Sequence, residues 1–104
     1  MDVYRIQDLR RRGKKYFEFA RTTDFSAGVY RIPAGTEDSQ TPHLQDELYY
    51  IVTGRAQFTG GRRTVPVSAG NVIFVPAKEI HRFHEVEEDL EVLVLFAPPE
   101  DSRD

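Results

Sequence analysis

His43, Glu47 and His81 are the residues of this chain whose types and spacing can do chemistry together. Two imidazoles and one carboxylate are the donor set of a non-haem divalent metal site with open positions for water, dioxygen or substrate. Such a site suits a ferrous or manganous dioxygenase. It suits equally well Lewis-acid isomerisation, lyase chemistry or hydrolysis, in which a metal polarises an oxygen atom. The chain has no cysteine, so thiolate ligands and disulfides are excluded.

The elements around these residues decide whether they can meet. His43 and Glu47 are four apart, a spacing that would stack them on a helix. Pro42 and the β-rich run Leu48 to Val52 disfavour a helix there. On a straight strand the two side chains share a face but stand ~13 Å apart, too far for one ion bound at ~2.1 Å from each donor. The chain must therefore bend at Leu44-Gln45-Asp46.

Nearly every other segment reads as a short strand. Tyr16 to Ala20, Phe25 to Ile32, Asp46 to Thr53, Arg55 to Thr59, Arg62 to Val67, Val72 to Val75, His81 to His84 and Leu90 to Ala97 are rich in β-branched and aromatic residues. Gly54 is expected to end the third of these, and Gly60-Gly61 to form a two-residue hairpin. Val72 to Val75 reads as a buried strand, and Leu90 to Ala97, apolar on both faces, as a central or interface strand. Glu85, Glu87, Glu88 and Asp89 read as an acidic turn. Only Val3 to Arg12 has room for a helical turn. The basic run Arg10 to Lys15 reads as a solvated loop. Short strands punctuated every eight to twelve residues predict an all-β sandwich or small barrel.

Two stretches resemble the sequence motifs of the cupin superfamily. In the first, His43, Glu47 and Gly54 stand at the second-histidine, glutamate and closing-glycine places, with Gly35 upstream. In the second, Gly70, Pro76 and His81 stand at the glycine, proline and histidine places. The resemblance spans Ala27 to Phe96. It implies an all-β, double-stranded β-helix (jelly-roll) barrel of two antiparallel sheets, formed by residues 1–104 as a single cupin domain, with the site inside it. It also implies that His81 reaches the metal from a neighbouring strand across the barrel mouth. Three departures qualify the match. Thr41 replaces the first histidine, and a hydroxyl is a poor transition-metal ligand; Gln40 next to it offers an amide oxygen instead. Lys78 stands where the motif has a turn glycine, so strained dihedrals are expected there. Glu85 replaces the final asparagine.

The expected site is thus a divalent transition metal (Fe, Mn, Ni, Co or Zn) held by His43, Glu47 and His81, with Gln40 or water completing the shell and Glu47 also serving catalysis. Tyr49 shares parity with Glu47, and Phe83 with His81, so both are candidate substrate-binding walls. His84 is three from His81 and should point to the opposite face. Asp46 reads as a turn residue, with hydrogen bonding to a ligand imidazole as its alternative.

The length of 104 residues and hydrophobic content of 39% predict one domain with one modest core. No apolar run approaches the ~20 residues of a membrane span, and no signal-peptide core opens the sequence, so a cytoplasmic protein is expected. A net charge of −3 argues against nucleic-acid binding. The expected function is a metal-dependent enzyme on a small oxygenated metabolite; the alternative is a non-catalytic module that binds or senses a small ligand. A homodimer is expected, with Leu90 to Phe96 contributing apolar surface.

Overall fold

Alternation sets the faces of the two longest strands, and both alternations change phase midway. The structure, a computed structural model, describes residues 1–10, 15–38 and 43–102. Its elements are a short helix α1 (Ile6–Arg10) and strands β1 (Tyr16–Arg21), β2 (Ser26–Ile32), β3 (Asp46–Gly60), β4 (Arg63–Ser68), β5 (Val72–Val75) and β6 (His81–Ala97). All pairings are antiparallel, in the order β1-β2-β6-β3-β4, with β5 also on β3. The double-stranded β-helix expected from the motifs is the fold.

In β3 the buried residues are Glu47, Tyr49 and Ile51, then Ala56 and Phe58. In β6 they are His81 and Phe83, then Val86, Leu90, Val92, Val94 and Phe96, with Glu91 buried on the opposite face. Odd positions give way to even ones in each strand. A slip of one residue turns every following side chain to the other face, and each strand makes that slip at a residue of positive φ: Gly54 at 95° and Glu85 at 48°. The β3–β6 ladder shifts register in the same region, between Ile51 and Gln57. These bulges let both halves of each strand face one interior while the ribbon curls over it.

Several expected boundaries are corrected by this. Gly54 does not end a strand; it lies inside β3 as the bulge. Arg55 to Thr59 and His81 to His84 are not separate elements but halves of β3 and β6. The acidic residues Glu85 to Asp89 lie within β6 rather than in a turn. The hairpin is one residue later than expected: Gly60 pairs with Arg63, leaving Gly61-Arg62 as the loop. Gly61 has φ 61°, as a two-residue turn with glycine first requires. β5 is only half-buried, since Val72 and Phe74 are 62% and 63% exposed. β6, by contrast, is central as expected, lying between β2 and β3.

The core holds Tyr30, Ile32, Tyr49, Ile51, Phe58, Val67, Val75, Phe83, Leu90, Val92, Val94 and Phe96. No helix among the described residues is long and apolar enough to cross a membrane.

Lys78 has φ 71°, the strained turn that the sequence foretells. Its N–H donates to the His43 carbonyl at 2.7 Å, and Ala77 N–H donates to Asp46 Oδ1 at 2.9 Å. The turn after β5 thus clamps the segment that carries His43. Glycine keeps the N–H and removes the Cβ clash, so Lys78→Gly should stabilise the fold by up to ~1 kcal/mol. Urea unfolding measures it; a loss of stability would mean that the lysine side chain compensates the strain.

Candidate functional site

The chain bends at Leu44 and Gln45 before β3 begins. The bend brings the His43 ring to the Glu47 carboxylate, with Nε2 3.4 Å from Oε1. His81 reaches the same carboxylate from β6, where Gly60↔His81 is the last pair of the β3–β6 ladder. Its Nε2 lies 2.7 Å from Glu47 Oε2. Glu47 is 1% exposed and His81 4%, so this is an interior constellation.

Tyr49 closes it. The hydroxyl donates to Glu47 Oε2 at 3.1 Å and stands 3.0 Å from His81 Nε2. The ring is fully buried between Phe58 and Phe83, with centroids at 5.9 and 5.4 Å. Tyr49 and Phe83 are both fully buried beside the constellation, and Tyr49 also bonds two of the expected ligands, a role that parity alone does not reveal. Phe96 makes an edge contact with His43 at 5.0 Å. Gln40 and Thr41 lie outside the described residues.

The tautomer of His81 follows from its second nitrogen. Nδ1 is 2.8 Å from the Glu79 carbonyl, which can only accept, so Nδ1 carries a proton and Nε2 faces Glu47. Burial pulls the His81 pKa down. The hydrogen bonds to Glu47 and Glu79 and the charges of Glu47 and Asp38 outweigh it, and the net shift is upward from 6.5. Two acceptors at 2.7 Å need a proton between them, which is the physical content of that shift.

Asp38 and Tyr30 belong to the surroundings of this site and were not read from the sequence. Asp38 is buried. It accepts from Tyr30 Oη at 2.7 Å and from Phe83 N–H at 3.2 Å, and its own N–H donates to the Phe83 carbonyl. Asp38 thereby ties its segment to the β6 strand of His81. Only spatial pairing exposes this role; no spacing in the chain marks it. Asp46, as expected, is structural, capping Ala77 rather than an imidazole.

His84 stays out of the site. It pairs opposite Gln57, lies 2.7 Å from Thr59 Oγ1 and 3.3 Å from Glu85.

The donor types suit a divalent ion, but their spacing in this structure does not hold one. Among the described residues no group of three or more His, Asp or Glu side chains is spaced as a finished cage. Two donors each ~2.1 Å from one ion at right angles stand ~3.0 Å apart, wider than the 2.7 Å that separates His81 from Glu47. That pair is at proton-sharing distance. Glu47 Oε1, however, is buried with no hydrogen-bond partner among the described residues, and the His43 imidazole is the group that it faces. A buried carboxylate oxygen left unbonded between imidazoles is what a cation would satisfy.

The cupin domain family model matches residues 28–96, which take in both halves of the barrel and all three donors. The chain belongs to the cupin family. The uncharacterized protein SCO3923 of Streptomyces coelicolor is 52% identical over 85 residues, covering 82% of this cupin and 81% of that protein. An RmlC-like cupin with a double-stranded β-helix fold from Methanocaldococcus jannaschii superposes with a TM-score of 0.72 at 18% identity, covering 80% of this chain and 78% of the other. KdgF from a Halomonas species gives 0.75 at 24%, covering 83% and 79%. At those identities the two solved structures establish the fold alone.

Proposed function

We propose that this cupin binds one divalent transition ion through His43, Glu47 and His81 and acts as an enzyme of dioxygenase, isomerase or lyase type on a small oxygenated metabolite. The observation that carries the reading is the buried Glu47 carboxylate, set between two imidazoles with one oxygen unbonded among the described residues. When bound, the ion supplies Lewis-acid polarisation of a ligand oxygen. The protein's own contributions are separable from that. Glu47 and His81 hold and release a proton, Tyr49 Oη orients both, and Phe58, Phe83 and Phe96 exclude water. Metal stoichiometry of tag-free protein tests the binding, and oxygen uptake with turnover tests the dioxygenase branch.

A non-catalytic ligand-binding module is the second reading. It is favoured by the Glu47–His81–Tyr49 triangle, which is already satisfied by hydrogen bonds. An ion that binds without any associated turnover would select it. A cytoplasmic location accords with either.

The same reading includes a homodimer. Leu48 and Tyr50 on β3, Val72 and Phe74 on β5 and Leu95 on β6 are exposed and adjacent, since Leu48 pairs with both Phe74 and Leu95. Within Leu90 to Phe96 only Leu93 and Leu95 are not buried; Leu90, Val92, Val94 and Phe96 fill the core. An apolar stripe across three neighbouring strands is unusual on a monomer. Light scattering at micromolar concentration should give twice the chain mass, and Phe74→Glu should halve it. A monomer mass for the unaltered chain refutes the dimer.

A further inference from the structure

β4 and β5 pair end to end along the same side of β3, Arg63–Ser68 against Gly60–Arg55 and Val72–Val75 against Tyr50–Glu47. A groove of about 730 Å³ runs along them. Its apolar lining includes Phe58, Val65, Val67, Ile73 and Val75, together with Val72 and Phe74 of the exposed stripe. The size is that of small-ligand sites. Arg62 and Arg63 stand at one end. Arg63 has the strand parity of Val65 and Val67, so its side chain rises on the face that lines the groove. Both arginines are exposed, and neither has an ion-pair or hydrogen-bond partner among the described residues. Glu79 also lines the groove, and its carboxylate lies over Gly61, where a Cβ would stand 2.8 Å from Oε1.

We propose that this groove is a binding site for an amphipathic organic anion, a carboxylate whose apolar body lies on Phe58, Val65 and Ile73 and whose head pairs with Arg63. The charge argument selects the ligand. Two unpaired guanidiniums beside an apolar floor complement an anion with a hydrocarbon tail, and a guanidinium fork matches a carboxylate in particular. Glu79 stands at this same end, over Gly61, so two guanidiniums face one carboxylate there and the balance of charge left for the head is positive. The groove is distinct from the metal site, but Phe58 is shared. Its ring lines the groove and lies 6.1 Å from the His81 ring.

Sodium octanoate titrated into metal-free full-length protein, followed by calorimetry and methyl NMR, tests this without reference to the metal. Octanoate should bind saturably, with shifts at the Val65, Val67 and Ile73 methyls, whereas acetate and octylammonium should not. Arg63→Gln should weaken octanoate about ten-fold, the equivalent of one charge-assisted bond, and Arg82→Gln, elsewhere on β6, should not. Three results overturn the proposal: equal binding of octylammonium, unchanged affinity in Arg63→Gln at unchanged melting temperature, or shifts confined to the surroundings of His43 and His81. Whether an ion binds at His43, Glu47 and His81 is a separate measurement, so either idea can fail alone.

Discussion

Tag-free protein stripped of metal and refilled with Fe, Mn, Ni, Co or Zn should take up one ion per chain, and His43→Ala or His81→Ala should abolish that stoichiometric binding. Two remaining donors hold a divalent ion poorly, whereas three with one open edge hold it well. His84→Ala should leave uptake intact, because His84 is bonded to Thr59 on the other side of β6. The contrast matters more than either loss, since His81 and His84 are three residues apart and only the strand register separates them. Gln40 or water is expected to complete the shell, with Thr41 not ligating. Elemental analysis after gel filtration reads all three variants. If the unaltered chain stays empty with every ion, the site is vestigial and the binding-module reading stands.

The same experiment has a pH axis with a definite sign. Metal binding requires His81 Nε2 to be free of its proton, and the Glu47 hydrogen bond and charge hold that proton above the ordinary histidine value despite burial. Affinity should therefore fall as pH drops through a value above ~6.5, rather than through 6.5 itself. Stability of the metal-free protein should run the other way. A raised folded-state pKa contributes stability that is full below the unfolded value and is lost as pH rises through the folded one. An affinity that titrates below 6.5 would show that His81 is not proton-bridged to Glu47.

What was legible in the sequence follows local chemistry, and what was not follows curvature. His43 and Glu47 could be paired because Pro42 and the β-rich run after Glu47 leave only the Leu44–Asp46 bend, and His81 joined them through the resemblance to the cupin motifs. Lys78 stood out because its place calls for positive φ, and it has it. The phase switches in β3 and β6 were missed for one reason. A glycine after a strand run and a cluster of acids both look like turns when read locally, yet a bulge inside a long curled strand uses the same residues. Val72 and Phe74 misled in the opposite way, because an apolar strand buried on one face and one covered on both read alike. Asp38 carried no signal, since its partners Tyr30 and Phe83 are supplied by two other strands.

Gly54→Ala should cost about 3 kcal/mol or more. Two terms add. The residue sits at φ 95°, where any Cβ is strained by ~1–2 kcal/mol. The new methyl would also collide with the Asp89 carbonyl oxygen, while standing 2.8 Å from the Asp89 carbonyl carbon and 2.9 Å from the Glu88 oxygen. These are backbone atoms of β6, so no side-chain rotation relieves the contact; the strands must part where both change phase. Gly70→Ala separates the terms. Gly70 has φ 96°, but nothing lies within 4 Å of its built Cβ, so that variant carries the dihedral cost alone. Urea unfolding of the two variants beside the unaltered protein gives the close-approach term as their difference. Equal losses would mean that β6 yields cheaply at Asp89 and that the bulge owes its glycine to φ alone. A larger loss for Gly54→Ala, joined by weaker metal uptake, would tie the bulge to the site, because the halves of β3 on either side of Gly54 carry Glu47 and the partner of His81.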